Sequence, residues 1–281
     1  MITLKSAREI EAMDKAGDFL ASIHIGLRDL IKPGVDMWEV EEYVRRRCKE
    51  ENFLPLQIGV DGAMMDYPYA TCCSLNDEVA HAFPRHYILK DGDLLKVDMV
   101  LGGPIAKSDL NVSKLNFNNV EQMKKYTQSY SGGLADSCWA YAVGTPSEEV
   151  KNLMDVTKEA MYKGIEQAVV GNRIGDIGAA IQEYAESRGY GVVRDLVGHG
   201  VGLKMHMAPE VPNYGKAGMG VVFQEGDTFC IEPMTSLGKG DVIFNGTDSE
   251  WDVLMRDGSL SAHFEHTILV TKDGAEILTL E

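Results

Sequence analysis

Two stretches of this 281-residue chain occur twice, in the same order, and that repetition limits the open folds more than any other feature. Gly34 to Phe53 and Gly171 to Tyr190 both span 19 steps, and both run turn, helix, aromatic. Met37, Val40 and Val44 in the first are matched by Ile174, Ile177 and Ile181 in the second. Leu89-Lys-Asp-Gly-Asp-Leu-Leu-Lys-Val-Asp-Met99 is echoed by Phe223-Gln-Glu-Gly-Asp-Thr-Phe-Cys-Ile-Glu-Pro233, which sets Asp98 in the place of Glu232. A duplicated helix-plus-hairpin unit predicts two halves related by a pseudo-twofold axis, with a site made from equivalent strands near that axis.

The elements around the repeats follow from periodicity and turn chemistry. Ile10, Met13, Ala16 and Leu20 keep helical spacing, so residues 5–31 read as a helix that Lys32-Pro-Gly34 stops. Residues 37–52 read as a second helix, 67–74 as extended, and 94–101 as a strand carrying Asp98. A further strand, 137–143, opens at Asp136. Thr145-Pro-Ser-Glu148 reads as a capping box with proline at the first helical position, ahead of a helix to about Val169. Residues 176–187 form another helix. Residues 102–133 differ in kind: they begin Gly102-Gly-Pro104, carry Asn111, Asn116, Asn118 and Asn119, and end Ser131-Gly-Gly133. With one helix candidate at 120–130, the segment is expected to be a mobile surface excursion.

The chemistry gathers in the second half. In Leu196-Val-Gly-His-Gly-Val-Gly202, three glycines let the backbone beside His199 bend and approach a neighbour closely. Glu232 follows in Cys230-Ile-Glu-Pro-Met234 and Glu265 in His263-Phe-Glu-His-Thr-Ile268. A lone carboxylate in an apolar strand is costly to bury. Asp98, one further aspartate, Glu232 and Glu265 converging on one imidazole suit hard or borderline divalent cations. Four carboxylates are too many for one ion, so two ions about 3.5–4 Å apart are expected. The net charge of −16 argues against attraction to nucleic acid or anionic membrane. Cys48, Cys72, Cys73, Cys138 and Cys230 include no Cys-x-x-Cys pair, so neither a disulfide framework nor a zinc finger is indicated. The opening residues 1–10 are amphipathic and do not read as a signal peptide, and a reducing cytoplasm is the expected location.

The motifs Gly198-His-Gly-Val-Gly202, Ile231-Glu-Pro-Met234 and Phe264-Glu-His-Thr-Ile268 resemble those of methionine aminopeptidases of metallopeptidase family M24. The resemblance runs from the first helix to the last strand, the excursion excepted. It implies the α+β pita-bread (creatinase/aminopeptidase) fold, an antiparallel sheet backed by helices. It also implies a single catalytic domain over 1–281, made of two pseudo-symmetric halves with an atypical insertion at 102–133. Prolidases and aminopeptidase P share the ligand set, but they usually carry a large N-terminal domain for which this chain has no room. The 33-residue spacing from His199 to Glu232 leaves no space for the helical insertion of type II enzymes, and no zinc-binding extension precedes the first helix. The likeness is to the short bacterial type I enzymes. A proline-directed metallopeptidase of the same fold, or a non-catalytic binding module built on it, are the alternatives; loss of ligands would mark the latter.

By resemblance the metal ligands are Asp98, Asp136, His199, Glu232 and Glu265, holding two divalent ions, Co2+, Mn2+, Fe2+ or Zn2+. The family's second aspartate lies eleven residues after the first, which points to Asp109. Asp136 is preferred because it is followed by a hydroxyl residue and opens a strand leading to glycine, proline and a capped helix, as the family pattern requires. His81 corresponds to the histidine that contacts the scissile amide nitrogen. His206 corresponds to the one that hydrogen-bonds the carbonyl oxygen, and Glu232 doubles as proton shuttle. Tyr67, Cys72, Met205 and Trp251 would line an apolar pocket suited to a thioether side chain; Met205 stands where the family often has an aromatic. His24, His86 and His266 read as ordinary structural histidines, whereas His263 shares a strand face with Glu265. The implied substrate is the N-terminal methionine of nascent chains with a small second residue, at the ribosome, and a monomer is expected.

Overall fold

The structure, a computed structural model, describes residues 5–245 and 249–280; residues 1–4, part of the amphipathic opening stretch, lie outside the described residues. Five helices are described: α1 (Ala7–Leu30), α2 (Trp38–Glu51), α3 (Val120–Ser129), α4 (Glu148–Ile165) and α5 (Ile174–Glu186). The first-half strands are β1 (Leu54–Pro55), β2 (Cys72–Leu75), β3 (Glu78–Ala80), β4 (Leu94–Gly102) and β5 (Leu134–Ala142). They continue as β6 (Gly191–Val192), β7 (Gly198–Gly200), β8 (Met207–Val211), β9 (Thr228–Ile231) and β10 (Met234–Ser236). The last are β11 (Val242–Phe244), β12 (Val253–Met255), β13 (Ser261–His263), β14 (Glu265–Thr271) and β15 (Gly274–Ile277).

One antiparallel sheet runs β1-β4-β5-β14-β9-β7-β8, with β2 on β4 and β15 on β14. Inside it lies β5, whose two faces do different work. Trp139 and Tyr141 face α1: His24 stacks on Trp139 with ring centroids 4.6 Å apart and bonds the Tyr141 hydroxyl at 2.7 Å. Asp136 and Cys138 point the other way by the period of two. β4 and β9 flank β5 and β14, so the duplicated hairpins contribute equivalent inner strands.

The duplication holds bond for bond. In the first copy Gly92 N–H donates to Val143 O and Lys90 N–H to Asp93 Oδ2; in the second Gly226 N–H donates to Val270 O and Gln224 N–H to Asp227 Oδ2. Gly92 and Gly226 sit at φ of 90° and 91°, a conformation that a side chain would strain. The bridges Asp36–Ile88 and Arg173–Val222 tie each repeat's helix entry to its hairpin.

Local details depart from expectation. Asp136 lies inside β5 rather than at its head, because pairing with β4 extends back to Leu134 opposite Gly102. The cap of α4 is Ser147, whose Oγ accepts from Val150 N–H, and not Thr145, whose N–H donates to the Asp91 carboxylate. Helix α4 ends at Ile165, short of Val169.

The segment 102–133 is packed, contrary to the expectation of a mobile excursion. Val112, Leu115, Phe117 and Met123 are buried in the main core cluster. Asn52 anchors it from the left-handed C-cap of α2, at φ 62°. Its amide donates to Ile105 O and Leu110 O, and its oxygen accepts from Val112 N–H at 2.8 Å. On the far side Thr127 donates to Ile58 O at 2.7 Å and Lys124 pairs with Asp66 at 2.8 Å. Asn52→Ala should destabilise the protein by on the order of 3 kcal/mol, since it strips buried backbone groups of partners and leaves alanine in a left-handed conformation. Chemical denaturation measures this; a loss below about 0.5 kcal/mol would show that Asn52 does not hold the segment.

Candidate metal centre and active site

Asp98, Asp136, His199, Glu232 and Glu265 line one cavity of about 600 Å³. Strand register brings them there. Asp98 lies opposite Cys138 across β4 and β5, and Glu265 lies opposite Cys138 across β14 and β5. Asp136 is therefore the diagonal neighbour of both, reached along one sheet face rather than by direct pairing. Thr267 clamps the Asp136 backbone: Asp136 N–H donates to Thr267 Oγ1 at 3.0 Å, and the Thr267 hydroxyl donates to Asp136 O at 2.9 Å. Asp109 is elsewhere, exposed in a turn where its N–H donates to Ala106 O and its carboxylate accepts from the Ser108 hydroxyl.

His199 is oriented for ligation. Its Nδ1 lies 3.1 Å from Gly200 O, which assigns the proton to Nδ1 and leaves the Nε2 lone pair free. Nε2 stands 3.6 Å from Asp136 Oδ2 and 3.5 Å from Glu232 Oε1. Burial pulls the His199 pKa down to about 3, so the ring is neutral at pH 7.

The carboxylates are under opposite stress. Burial, then the charges of Glu265, Asp98 and Glu232, push Asp136 well above the usual carboxylate range. Burial and Asp98 do the same to Glu232, and burial, Glu232 and Asp98 to Glu265; burial also raises Asp98. Asp98 Oδ1 and Glu265 Oε1 are buried without a hydrogen-bond partner. Mutually repelling oxygens, two of them orphaned, beside a neutral imidazole lone pair fit divalent cations: positive charge between them removes the repulsion and gives the orphans a partner.

The remaining predicted residues line the same cavity: His81, His206, Tyr67, Cys72, Met205 and Trp251. His81 takes a left-handed φ of 61°, a strained conformation for a bulky residue, with its ring edge-on to Trp251 at 6.5 Å. His206 is exposed and packs edge-to-face on His199 at 4.3 Å. Trp251 meets Tyr67 edge-on at 5.1 Å, forming an aromatic wall. His24 and His266 are buried structural histidines, the latter bonded to Thr279, and His86 is exposed beside Asp36.

Two features escaped the sequence. Cys230 sits against the cluster: one polar atom each from Asp136, His199, Cys230 and Glu265 lie within 4.8 Å of one another. Its position two residues before Glu232, on the same strand face, was the available signal. Asp195 and Glu210 add negative charge to the cavity wall, and nothing in their spacing marks them. His263 also lines the cavity, its Nε2 3.6 Å from Glu232 Oε2. Its face was legible, its neighbour was not.

These shifts set a pH dependence. Carboxyls with raised pKa values stabilise the metal-free fold at low pH and lose that contribution as pH rises through their folded values. His199 and His81, lowered to about 3 and about 4, cost stability as pH falls below about 6.5. Cations displace the carboxyl protons, so their stabilisation grows with pH. Mn2+ at a hundredfold excess over its dissociation constant adds about 2.7 kcal/mol, several degrees in Tm. The Tm gain should be clearly larger at pH 7.5 than at pH 5; an equal gain at both would mean that the carboxyl cluster does not bind the ion.

Comparison with known proteins agrees with this geometry. The profile of metallopeptidase family M24 matches residues 11–104 and 125–272, passing over the middle of the packed 102–133 segment. The methionine aminopeptidase of Clostridium acetobutylicum is 39% identical over 100% of this chain and 99% of its own. A solved methionine aminopeptidase from Streptococci superposes with TM-score 0.93 at 83% identity, covering 100% of this chain and 98% of that one. The Thermotoga maritima enzyme superposes with TM-score 0.86 at 39% identity over the whole of both chains. With a family match over most of its length and full-length relatives of one activity, the chain belongs to metallopeptidase family M24, among its methionine aminopeptidases.

Proposed function

We propose that this protein hydrolyses the bond after an N-terminal methionine, using two divalent ions held by Asp98, Asp136, His199, Glu232 and Glu265. The observation that carries this reading is the convergence of four carboxylates, three of them buried, and a tautomer-fixed imidazole on a cavity walled by aromatic and sulfur side chains. When bound, divalent ions supply Lewis acidity that lowers the pKa of water and polarises the scissile carbonyl. Tyr67, Cys72, Met205 and Trp251 enclose the methionine side chain by apolar and soft sulfur contacts. His206, at the solvent side, donates a hydrogen bond to the carbonyl oxygen as charge develops there. His81 contacts the scissile nitrogen, and Glu232 accepts a proton at its carboxylate and returns it to the departing amine.

In this reading residues 1–281 act as one catalytic domain of two related halves, with 102–133 as a surface insertion. The substrates are nascent chains with a small second residue, met at the ribosome by a monomer in the cytoplasm. Among the described residues no helix is long and apolar enough to cross a membrane.

The metal-loaded protein should release methionine from Met-Ala-Ser and leave Xaa-Pro dipeptides nearly untouched. Preference for Xaa-Pro would replace this reading with a proline-directed one, and absence of both activities would end it. Asp136→Ala should bind at most one ion by calorimetry and lose activity by at least a hundredfold, while Asp109→Ala stays within about twofold of wild type. The reverse pattern would place the ligand in the insertion.

A further inference from the structure

His263 is buried to 2% exposure, and neither of its ring nitrogens has a hydrogen-bond partner. A buried donor left without a partner costs roughly 1–3 kcal/mol, so such a group calls for an explanation. The ring is held where it is. His263 pairs with Met234 across β13 and β10, and Phe264 N–H donates to Pro233 O at 3.4 Å. These contacts zip residues 263–264 to the two residues following Glu232. The His263 ring therefore faces the Glu232 side chain from a fixed backbone, with Nε2 3.6 Å from Oε2. The other oxygen, Oε1, stands 3.5 Å from His199 Nε2. Glu232 thus lies between two imidazoles, one at each oxygen.

The two imidazoles are not equivalent. His199 keeps its Nδ1 proton on Gly200 O and offers a lone pair at Nε2. Among the described residues no carbonyl or hydroxyl hydrogen-bonds either His263 nitrogen, and the Glu232 carboxylate stands 3.6 Å from Nε2.

We propose that His263 is a positioning residue for Glu232: as a neutral ring it donates its Nε2 proton to Oε2. That bond stops rotation of the carboxylate and keeps Oε1 turned toward His199 and Asp136. The inference rests on the aminopeptidase reading for its catalytic consequence, but not for the bond itself. Closing 3.6 Å to the usual range of about 2.7–3.2 Å takes a shift of a few tenths of an ångström. Residues that orient a metal-binding carboxylate through a hydrogen bond typically alter metal affinity or activity by about 10–100-fold when removed.

The test compares His263→Leu, which removes the donor, with His263→Gln, which restores an N–H donor. His263→Leu should lower kcat on Met-Ala-Ser by tenfold or more with KM within about twofold, and weaken Mn2+ binding by calorimetry. His263→Gln should recover kcat and Mn2+ affinity to within about threefold of wild type. A leucine variant that folds and matches wild type in both readouts overturns the proposal, as does a glutamine variant as damaged as the leucine one. Should the leucine variant not fold, nitrogen-15 spectra of the Mg2+- or Zn2+-loaded wild type decide. His263 must carry its proton on Nε2; an unprotonated Nε2 rejects the bond. This spectrum needs no substrate, so it separates failure of the inference from failure of the aminopeptidase reading, which shows only as wild type that releases no methionine.

Discussion

Asp98, Asp136, Glu232 and Glu265 repel one another from positions that the sheet does not let them leave. Each is set by ladder hydrogen bonds on or beside a different strand, and Thr267 locks the Asp136 backbone from both sides. Taking even one such ion out of water costs several kcal/mol in real proteins, and like charges at this range add to it. Burial and this mutual repulsion push Asp136, Glu232 and Glu265 well above the usual carboxylate range. The same stress makes the site ready for divalent ions. Positive charge held between these oxygens would turn their mutual repulsion into attraction.

The frame around that cluster was largely legible because its signals are local. Asp-Gly-Asp and Glu-Gly-Asp make the same turn in both hairpins, with the glycine at positive φ and the final aspartate accepting a backbone N–H. Helical spacing located all five helices to within a few residues. The hairpin echo set Asp98 in the place of Glu232, and the hydroxyl residue and strand-ending sequence after Asp136 favoured it over Asp109. None of these steps needed contacts distant in the chain.

The rest depends on partners far apart in sequence. Asn52 holds an insertion some sixty residues away, and nothing in an asparagine after a helix announces three backbone contacts. The polar, asparagine-rich composition of 102–133 suggested mobility, yet its few apolar residues suffice to seat it on the core. Ser147 outcompetes Thr145 as helix cap because Asp91, from the first hairpin, takes the Thr145 N–H. Cys230 and His263 acquire meaning only once β9, β13 and β14 are aligned, and single-strand periodicity cannot align strands.

Strand β5 explains why the chemistry and the stability of this fold are hard to separate. Asp136 and Cys138 face the acidic cluster, while Ser137, Trp139 and Tyr141 alternate toward α1. His24, buried in α1 with its pKa held near 3, touches both Ser137 O and the Tyr141 hydroxyl. A change that shifts α1 on this face must move the backbone carrying Asp136, since a strand has no slack between its two faces. The cavity mouth is built differently. His206 and Trp251 lie outside regular strands, and Trp251 is joined to the 61–66 loop through its bond to Met65 O at 3.1 Å. Loops of this kind accept substitutions that ladder strands do not. The acidic floor of the cavity is therefore bound to the fold, whereas the aromatic wall at its mouth can vary around it.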